Sequence, residues 1–584
     1  MGGLFLARDA EPAFAAAALD NARAQFARHG FAAPRERRIA GWRMLHSGYI
    51  IGGPETMAEA GEDFAIVAGT LAFDGLCGAA ALRALLAEAQ PPRLDWSRLG
   101  GQFILLLHKS GRTFLAGDYF GAFHLYHDRE MRLFSTSLLA AATALPRVSL
   151  DPQGVYEFAF HAAVLGDDTV LREVRRLGRD RLVELTADGV RLHHDPRRLP
   201  GETTRMPLAD RLACHRELLG ALVAGYAGHF GDDIQCPLSG GLDSRLVLAL
   251  LRAAGRRPRV YVYGPPDSRD VSIARRIGAA EGFDVAWIEK GRHRAITPDA
   301  FPEQVARNFH EDDGVPNFGG IFDNGGNAHA RDARHRGGAL AVSGGCGEIY
   351  RNFFLLPDRR ISAANVAAGF FARFDPRDTT AEFAPRAYLR GVEDKILAAL
   401  DRPGDRAPLP RPLVEQVYPL VRCRSLFGRE ISMEARYSPY LMPFIDHRIV
   451  AAAVTLPMRL KQAGAFEARL LNAIDPALAR HPSAYGHDFA TPPGARHRID
   501  EWATRVRPFW LRRHSYALRR RLGPLADEHG GLLGPDYMAR VIDLDFPAMR
   551  RFFRIDQVSD SGLWRRIACL EYFANHLGGR LGGG

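Results

Sequence analysis

Lysine is nearly missing from this chain of 584 residues: Lys109, Lys290, Lys395 and Lys461 are the whole complement, so the formal net charge of +10 is carried by arginine. The resulting basic surface would steer ATP, an acidic peptide or nucleic acid by long-range attraction, but no recognisable nucleic-acid-binding module accompanies the charge, and nucleic acid is not an expected partner. Cysteine is also scarce. The six thiols, at Cys77, Cys214, Cys236, Cys346, Cys423 and Cys569, show no paired metal-type spacing, which points to reduced, buried side chains and away from zinc or disulfides. No stretch approaches the ~18 uninterrupted apolar residues of a membrane span, and Met1-Gly2-Gly3-Leu4-Phe5 lacks the basic and apolar regions of a secretory signal. A cytoplasmic protein without a membrane partner is expected, and at 47% hydrophobic content it is long enough for two or three domains.

The first 200 residues read as short strands between turns, among them Phe64 to Ala68, Gln102 to Leu107, Thr113 to Ala116, Arg132 to Ser135 and Arg181 to Leu185. The polar stretch Pro200 to Pro207 reads as a linker. From residue 208 helices alternate with apolar strands, including Arg259 to Tyr263, Asp284 to Ile288 and Ala339 to Val342, the pattern of a parallel α/β sheet. After Pro412 the chain becomes mostly helical, ending in a glycine tail from Gly578 to Gly584. A boundary between residues 1–200 and 208–584 is expected.

The chemistry centres on Ser239-Gly240-Gly241-Leu242-Asp243-Ser244, which follows an apolar run and opens into Arg245 to Leu251. Strand, glycine turn and helix start in that order make an anion cradle, since two residues without Cβ let amides approach a phosphate and the helix dipole adds positive potential. Asp243 supplies a carboxylate for Mg²⁺, and the hydroxyls of Ser239 and Ser244 can bond phosphate oxygens.

This hexapeptide resembles the pyrophosphate loop of the asparagine synthetase superfamily and of related N-type ATP pyrophosphatases. The resemblance implies adenylation of a substrate with release of pyrophosphate, with ATP and Mg²⁺ as cofactors. It extends over most of the chain. Asp118 to Tyr126 is similar to a segment of amidotransferase glutaminase domains, which implies an N-terminal Ntn-type glutaminase-like, β-rich α+β domain ahead of the synthetase domain. Those relatives carry a nucleophilic Cys at the mature N-terminus, whereas residues 2 and 3 here are glycine and Leu71 to Gly75 stands in place of the family's Asn-Gly segment. No glutamine hydrolysis is expected, and the domain reads as a scaffold.

In the synthetase half, Ser268 to Ala274 resembles the family segment after the second strand. It suggests Val247, Tyr263 and Gly264 beside the adenine and Asp270 as a polar anchor or a helix cap. Ser343 to Glu348 is similar to the family's second glycine turn but one residue shorter, and Glu348 is taken as the second metal ligand with Asp243. An acid found inside this turn in some relatives is replaced by Gly345 and Cys346. Glu434, Arg436 and Asp446 resemble a further motif, split by Tyr437 to Met442, which reads as an insertion beside the acceptor pocket; Arg436 and Asp446 are expected to form a structural ion pair. The family's charge-neutralising lysines are absent where they align, leaving Lys461, Arg469 and Arg480 as candidates for that role. His481 is a further proton carrier by type, and Tyr350, Phe353, Phe354, Tyr437 and Tyr440 either line a peptide groove or form core.

With an inactive glutaminase half and an altered acceptor region, the chain looks most like lasso-peptide macrolactam cyclases, which implies a precursor-peptide substrate and a leader peptidase or leader-recognition partner. A beta-lactam-synthetase-like enzyme acting on a small-molecule carboxylate and amine shares the loop and the missing Cys, and a non-catalytic binding homologue is the third reading.

Overall fold

The computed structural model describes residues 2–291, 295–317, 320–522 and 531–582. The N-terminal part holds two antiparallel sheets. One has six strands and places Gly3–Arg8 between Leu133–Ser135 and Trp42–Ser47; the other has seven and centres on Asp63–Phe73, Leu99–Lys109, Arg112–Gly117 and Arg181–Thr186. Strand alternation explains how they stack. Along Asp63–Phe73, Phe64, Ile66 and Ala68 join the large core shared with Leu4, Leu6 and Trp42, while Ala65, Val67, Leu71 and Phe73 face Leu82, Leu85 and Leu86 of the helix Gly78–Glu88. Both faces are therefore covered. Each large apolar side chain buried this way contributes about 1.5–3 kcal/mol.

Residues 200–207 carry no regular secondary structure, and the helix Leu208–Phe230 leads into a parallel sheet. Its spatial order is Val285–Ile288, Arg259–Tyr263, Ile234–Pro237, Leu340–Val342, Tyr440–Leu441. The order reverses direction between Ile234–Pro237 and Leu340–Val342. That is the switch point where the carboxyl ends of an open α/β sheet leave a crevice, and both glycine turns noted in the sequence leave from these two strands.

Tyr437 to Met442 is not an inserted loop beside a pocket. Tyr440 and Leu441 form the fifth parallel strand, in register with Ala341 and Val342. Its outer edge is closed by side chains of the N-terminal part: Thr70 Oγ1 accepts from the Tyr440 amide at 2.8 Å, and Gln102 takes both backbone groups of Met442, at 3.1 and 3.4 Å. An exposed edge is thereby converted into a joint. The expected Arg436–Asp446 pair is also absent. Arg436 donates to Asp313 at 2.9 Å, and Asp446 accepts from Arg448 at 2.7 Å while capping the helix His447–Val454. Nor is the end of the chain loose as far as it is described, because Leu581 bridges to Val148.

Asp313 is the hub between the halves. It is fully buried, has a positive φ of 54°, and accepts from Arg436, from Arg429 at 3.2 Å, and from the Leu138 and Leu139 amides at 2.8 and 3.1 Å. The surrounding arginines and His29 hold its carboxyl well below the usual range, against the effect of burial.

Several histidines are buried neutral. Burial, chiefly, lowers His29 and His46 to about 4 and His215 and His310 to about 3. The unfolded chain takes up these protons near pH 6.5 and the folded chain does not, so stability falls as pH drops from 6.5 towards 4 and levels off below the folded values. The melting temperature should decline over that interval; a flat profile between pH 7 and 5 would contradict it.

Candidate functional site

Gly240, Gly241 and the first turn of the helix Leu242–Ala253 sit at the switch point, with Gly241 as N-cap and no side chain capping the helix. The first-turn amides therefore lack intrahelical partners, as at any helix start. The hydroxyls of Ser239 and Ser244 lie 2.9 Å apart, and the Ser244 Oγ accepts from the Ser239 amide at 3.0 Å, which fixes the turn. Asp270 is not a helix cap, since Ser268 holds that position; its Oδ1 accepts from the Gly240 amide at 2.8 Å. One amide of the cradle is thus already matched to an anion.

The second turn lies directly against Asp243. A Cβ at Gly347 would fall 2.0 Å from the Asp243 Oδ1, and one at Gly344 would meet the Ser244 amide nitrogen at 2.9 Å, so only glycine permits this approach. Glu348, half-buried, accepts a hydrogen bond from the Tyr418 hydroxyl. Burial raises its carboxyl above the ordinary range and the Asp243 charge adds to this, while Arg351 and Tyr418 pull the other way. Asp243 and Glu348 are therefore electrostatic neighbours.

Arg351, which sequence reasoning missed, ties the cluster together. It donates from Nη2 to Asp243 and from Nε to Glu467 at 2.9 Å, and its Nη1 lies 3.4 Å from the Tyr485 hydroxyl. Burial opposes its charge, yet Asp243 and Glu467 hold it well above its usual value. Glu467 is fully buried and pushed far towards the neutral acid by burial, and its Oε1 has no hydrogen-bond partner. A cation already bridges two acids here. The signal in the sequence was spacing alone: Arg351 follows Glu348 by three residues at the end of the turn.

The remaining candidates have partners of their own or face solvent. Lys461 is 1% exposed and donates to Glu415 at 2.8 Å, so its ammonium is committed to a buried pair. Arg469 follows Glu467 by two helical positions, about 200° around the axis, and is exposed on the side away from Arg351. Arg480 ends the short helix Pro476–Arg480 with its side chain exposed, and His481 pairs with Glu281 at 2.8 Å. Val247 is sunk in the main core, whereas Tyr263 packs with Tyr261, Ala330 and Ala333 in a separate cluster under Lys290 and Arg334. Gly264, at φ 146°, accepts from the Trp287 indole and leaves no room for a Cβ beside Ser268. Among the aromatics, Tyr350, Phe354, Tyr437 and Tyr440 are core, and Phe353 is half-buried.

Position 2 has no room for a side chain. A Cβ on Gly2 would lie 2.6 Å from the Phe31 ring and 2.7 Å from the Arg436 Cα. Among the described residues no cluster of three or more His, Cys, Asp or Glu is arranged to hold a metal ion, and no helix is long and apolar enough to cross a membrane.

No protein-family model and no curated protein sequence matches the chain. Among solved structures it is similar to glutamine phosphoribosylpyrophosphate amidotransferase from B. subtilis complexed with ADP and GMP, at 10% identity and a TM-score of 0.24, over 49% of this chain and 90% of that one. It is also similar to a structure described as the allosteric regulatory enzyme of purine biosynthesis, at 11% identity and a TM-score of 0.21, over 49% of this chain and 64% of that one. Likenesses this remote carry no argument, and what stands is an α/β chain with two antiparallel sheets ahead of a parallel one whose switch point gathers Asp243, Glu348 and Arg351.

Proposed function

We propose that this chain is an ATP-dependent ligase that adenylates a carboxylate, releases pyrophosphate and joins the activated acid to an amine, without glutaminase activity. The observation that carries the reading is the meeting of the Ser239–Ser244 turn with Glu348 at the switch point of the parallel sheet. First-turn amides and the two serine hydroxyls bind the departing diphosphate, and Arg351 moves from Asp243 to a phosphate oxygen as charge develops there.

The acid set fits Mg²⁺ in number and kind, because that ion takes one or two protein carboxylates and completes its shell with phosphate and water. Asp243 and Glu348 would hold it, relieving the repulsion that adds to burial in raising Glu348. When bound, the ion neutralises polyphosphate charge. Arg351 already sets a positive charge against Asp243 at the same place.

A closed position 2 leaves the amine to come from the substrate or from solution. A peptide cyclised between its own amine and a side-chain carboxylate, the reaction of lasso-peptide macrolactam cyclases, answers that need within one molecule and avoids the entropic cost of a second partner. Carboxylate-dependent exchange of labelled pyrophosphate into ATP tests the ligase reading, and ATP binding without exchange for any acid would overturn it in favour of a non-catalytic homologue. Replacing Glu348 by Gln should raise the Mg²⁺ concentration for half-maximal exchange by about 10- to 100-fold; an unchanged metal requirement would remove Glu348 from the ligand set.

A further inference from the structure

We infer that the groove between the Phe353 to Arg373 segment and the helices Ala495–Val506 and Phe509–Leu522 receives an acidic, aromatic-bearing peptide and leads it to the Asp243 and Glu348 site. The fate of the peptide rests on the ligase reading; its binding does not.

The groove measures ≈ 340 Å³, enough for the side chains of a short peptide segment or a small ligand. The rings of Phe353 and Phe370 form one wall with centroids 5.1 Å apart, and the Arg373 guanidinium lies 4.2 Å over Phe370. Arg507 and Arg512 line the opposite wall, and none of the described residues that line the groove carries a carboxylate. Arg512 donates to the carbonyls of Phe354 at 2.9 Å and of Leu355 at 2.7 Å, which orient its charge without cancelling it. Arg507 donates to the neutral Ser515 hydroxyl at 3.1 Å. Partly buried guanidinium groups beside aromatic rings favour carboxylates, which they grip bidentately, and aromatic side chains, on which they stack.

The wall of the groove touches the site. Phe353 packs on Tyr418 with ring centroids 4.4 Å apart, the Tyr418 hydroxyl bonds Glu348, and Phe353 follows Arg351 by two residues. On its outer side the helix pair bears six of the eleven large hydrophobic residues exposed in the described chain: Ile499, Trp502, Val506, Trp510, Leu511 and Leu518. Trp510 is 67% exposed. Ile499, Trp502 and Val506 recur at helical spacing, so they form one stripe, and contiguous apolar surface of this kind marks a binding face. A bilayer would meet that stripe but could not enter the arginine-lined groove beside it. An extended peptide engages both.

The test uses the full chain without ATP and a fluorescein-labelled decapeptide of alternating Phe, Asp and Gly, compared with the same peptide carrying Asn for Asp, by fluorescence polarisation. The Asp peptide should bind about tenfold or more tighter than the Asn peptide, and Arg507→Glu and the groove-filling Ala368→Trp should each weaken it by a similar factor, with melting temperature and ATP binding confirming an intact fold. Equal binding of both peptides, or unchanged binding by both variants, overturns the proposal. So does failure to bind peptide combined with sedimentation on phosphatidylserine vesicles that Trp502→Ala and Trp510→Ala abolish. Peptide binding in a protein that exchanges no pyrophosphate sinks the ligase reading and leaves the groove standing; exchange driven by the peptide equally in the parent and in Ala368→Trp does the reverse.

Discussion

Asp243→Asn should lower the proposed pyrophosphate exchange by at least about a hundred- to a thousandfold, with the melting temperature and any peptide binding unchanged. The amide is isosteric with the acid, so the helix start and the contact with Gly347 persist. What goes is charge. Asn cannot hold the Arg351 guanidinium as an ion pair or give Mg²⁺ an anionic oxygen, and Glu348 loses the neighbour that raises its proton affinity. Stability changes little because the Asp243 side chain remains 22% exposed and can be resolvated. Exchange measured at saturating Mg²⁺ checks this, and parental turnover would reject the assignment of the whole turn.

Asp313→Ala acts on the other extreme of burial. Removing the carboxylate strands Arg429 and Arg436 without their shared anion, and it takes the acceptor from the Leu138 and Leu139 amides at the start of the helix Leu138–Ala144, which keeps Ser137 as its cap. Breaking a buried pair from one side costs about 3–5 kcal/mol, a large share of the 5–15 kcal/mol by which native proteins are typically stable. Urea denaturation should show the midpoint collapse and the transition split, since the lost contacts join the two halves. A midpoint close to the parent's would show that Thr70, Gln102 and the apolar interface hold the halves by themselves.

The turn at Ser239 was legible because strand, glycines and helix start are local in sequence, and the parallel sheet was legible because its strands are short apolar runs between helices. Tyr440–Leu441 was not. Two residues beside Pro439 offer no alternation to read, and the strand exists because Ala341 and Val342 pair with one edge while Thr70 and Gln102 close the other. Arg351 was hidden by abundance, being one arginine in a chain where all but four of the 77 basic residues are arginine, and its partners Asp243 and Glu467 lie 108 and 116 residues away. Lys461 misled for the opposite reason. Rarity made it conspicuous, but a lysine that neutralises Glu415 in the interior has the same letter as one that neutralises a phosphate.

Gly2 leaves no margin for a side chain at the seam. The main chain of residue 436 and the ring of Phe31 press on its backbone. Any larger residue at that spot would wedge apart the joint that Asp313 and its arginines secure. Position 2 therefore works as a keystone, and a change there would be felt in both halves at once.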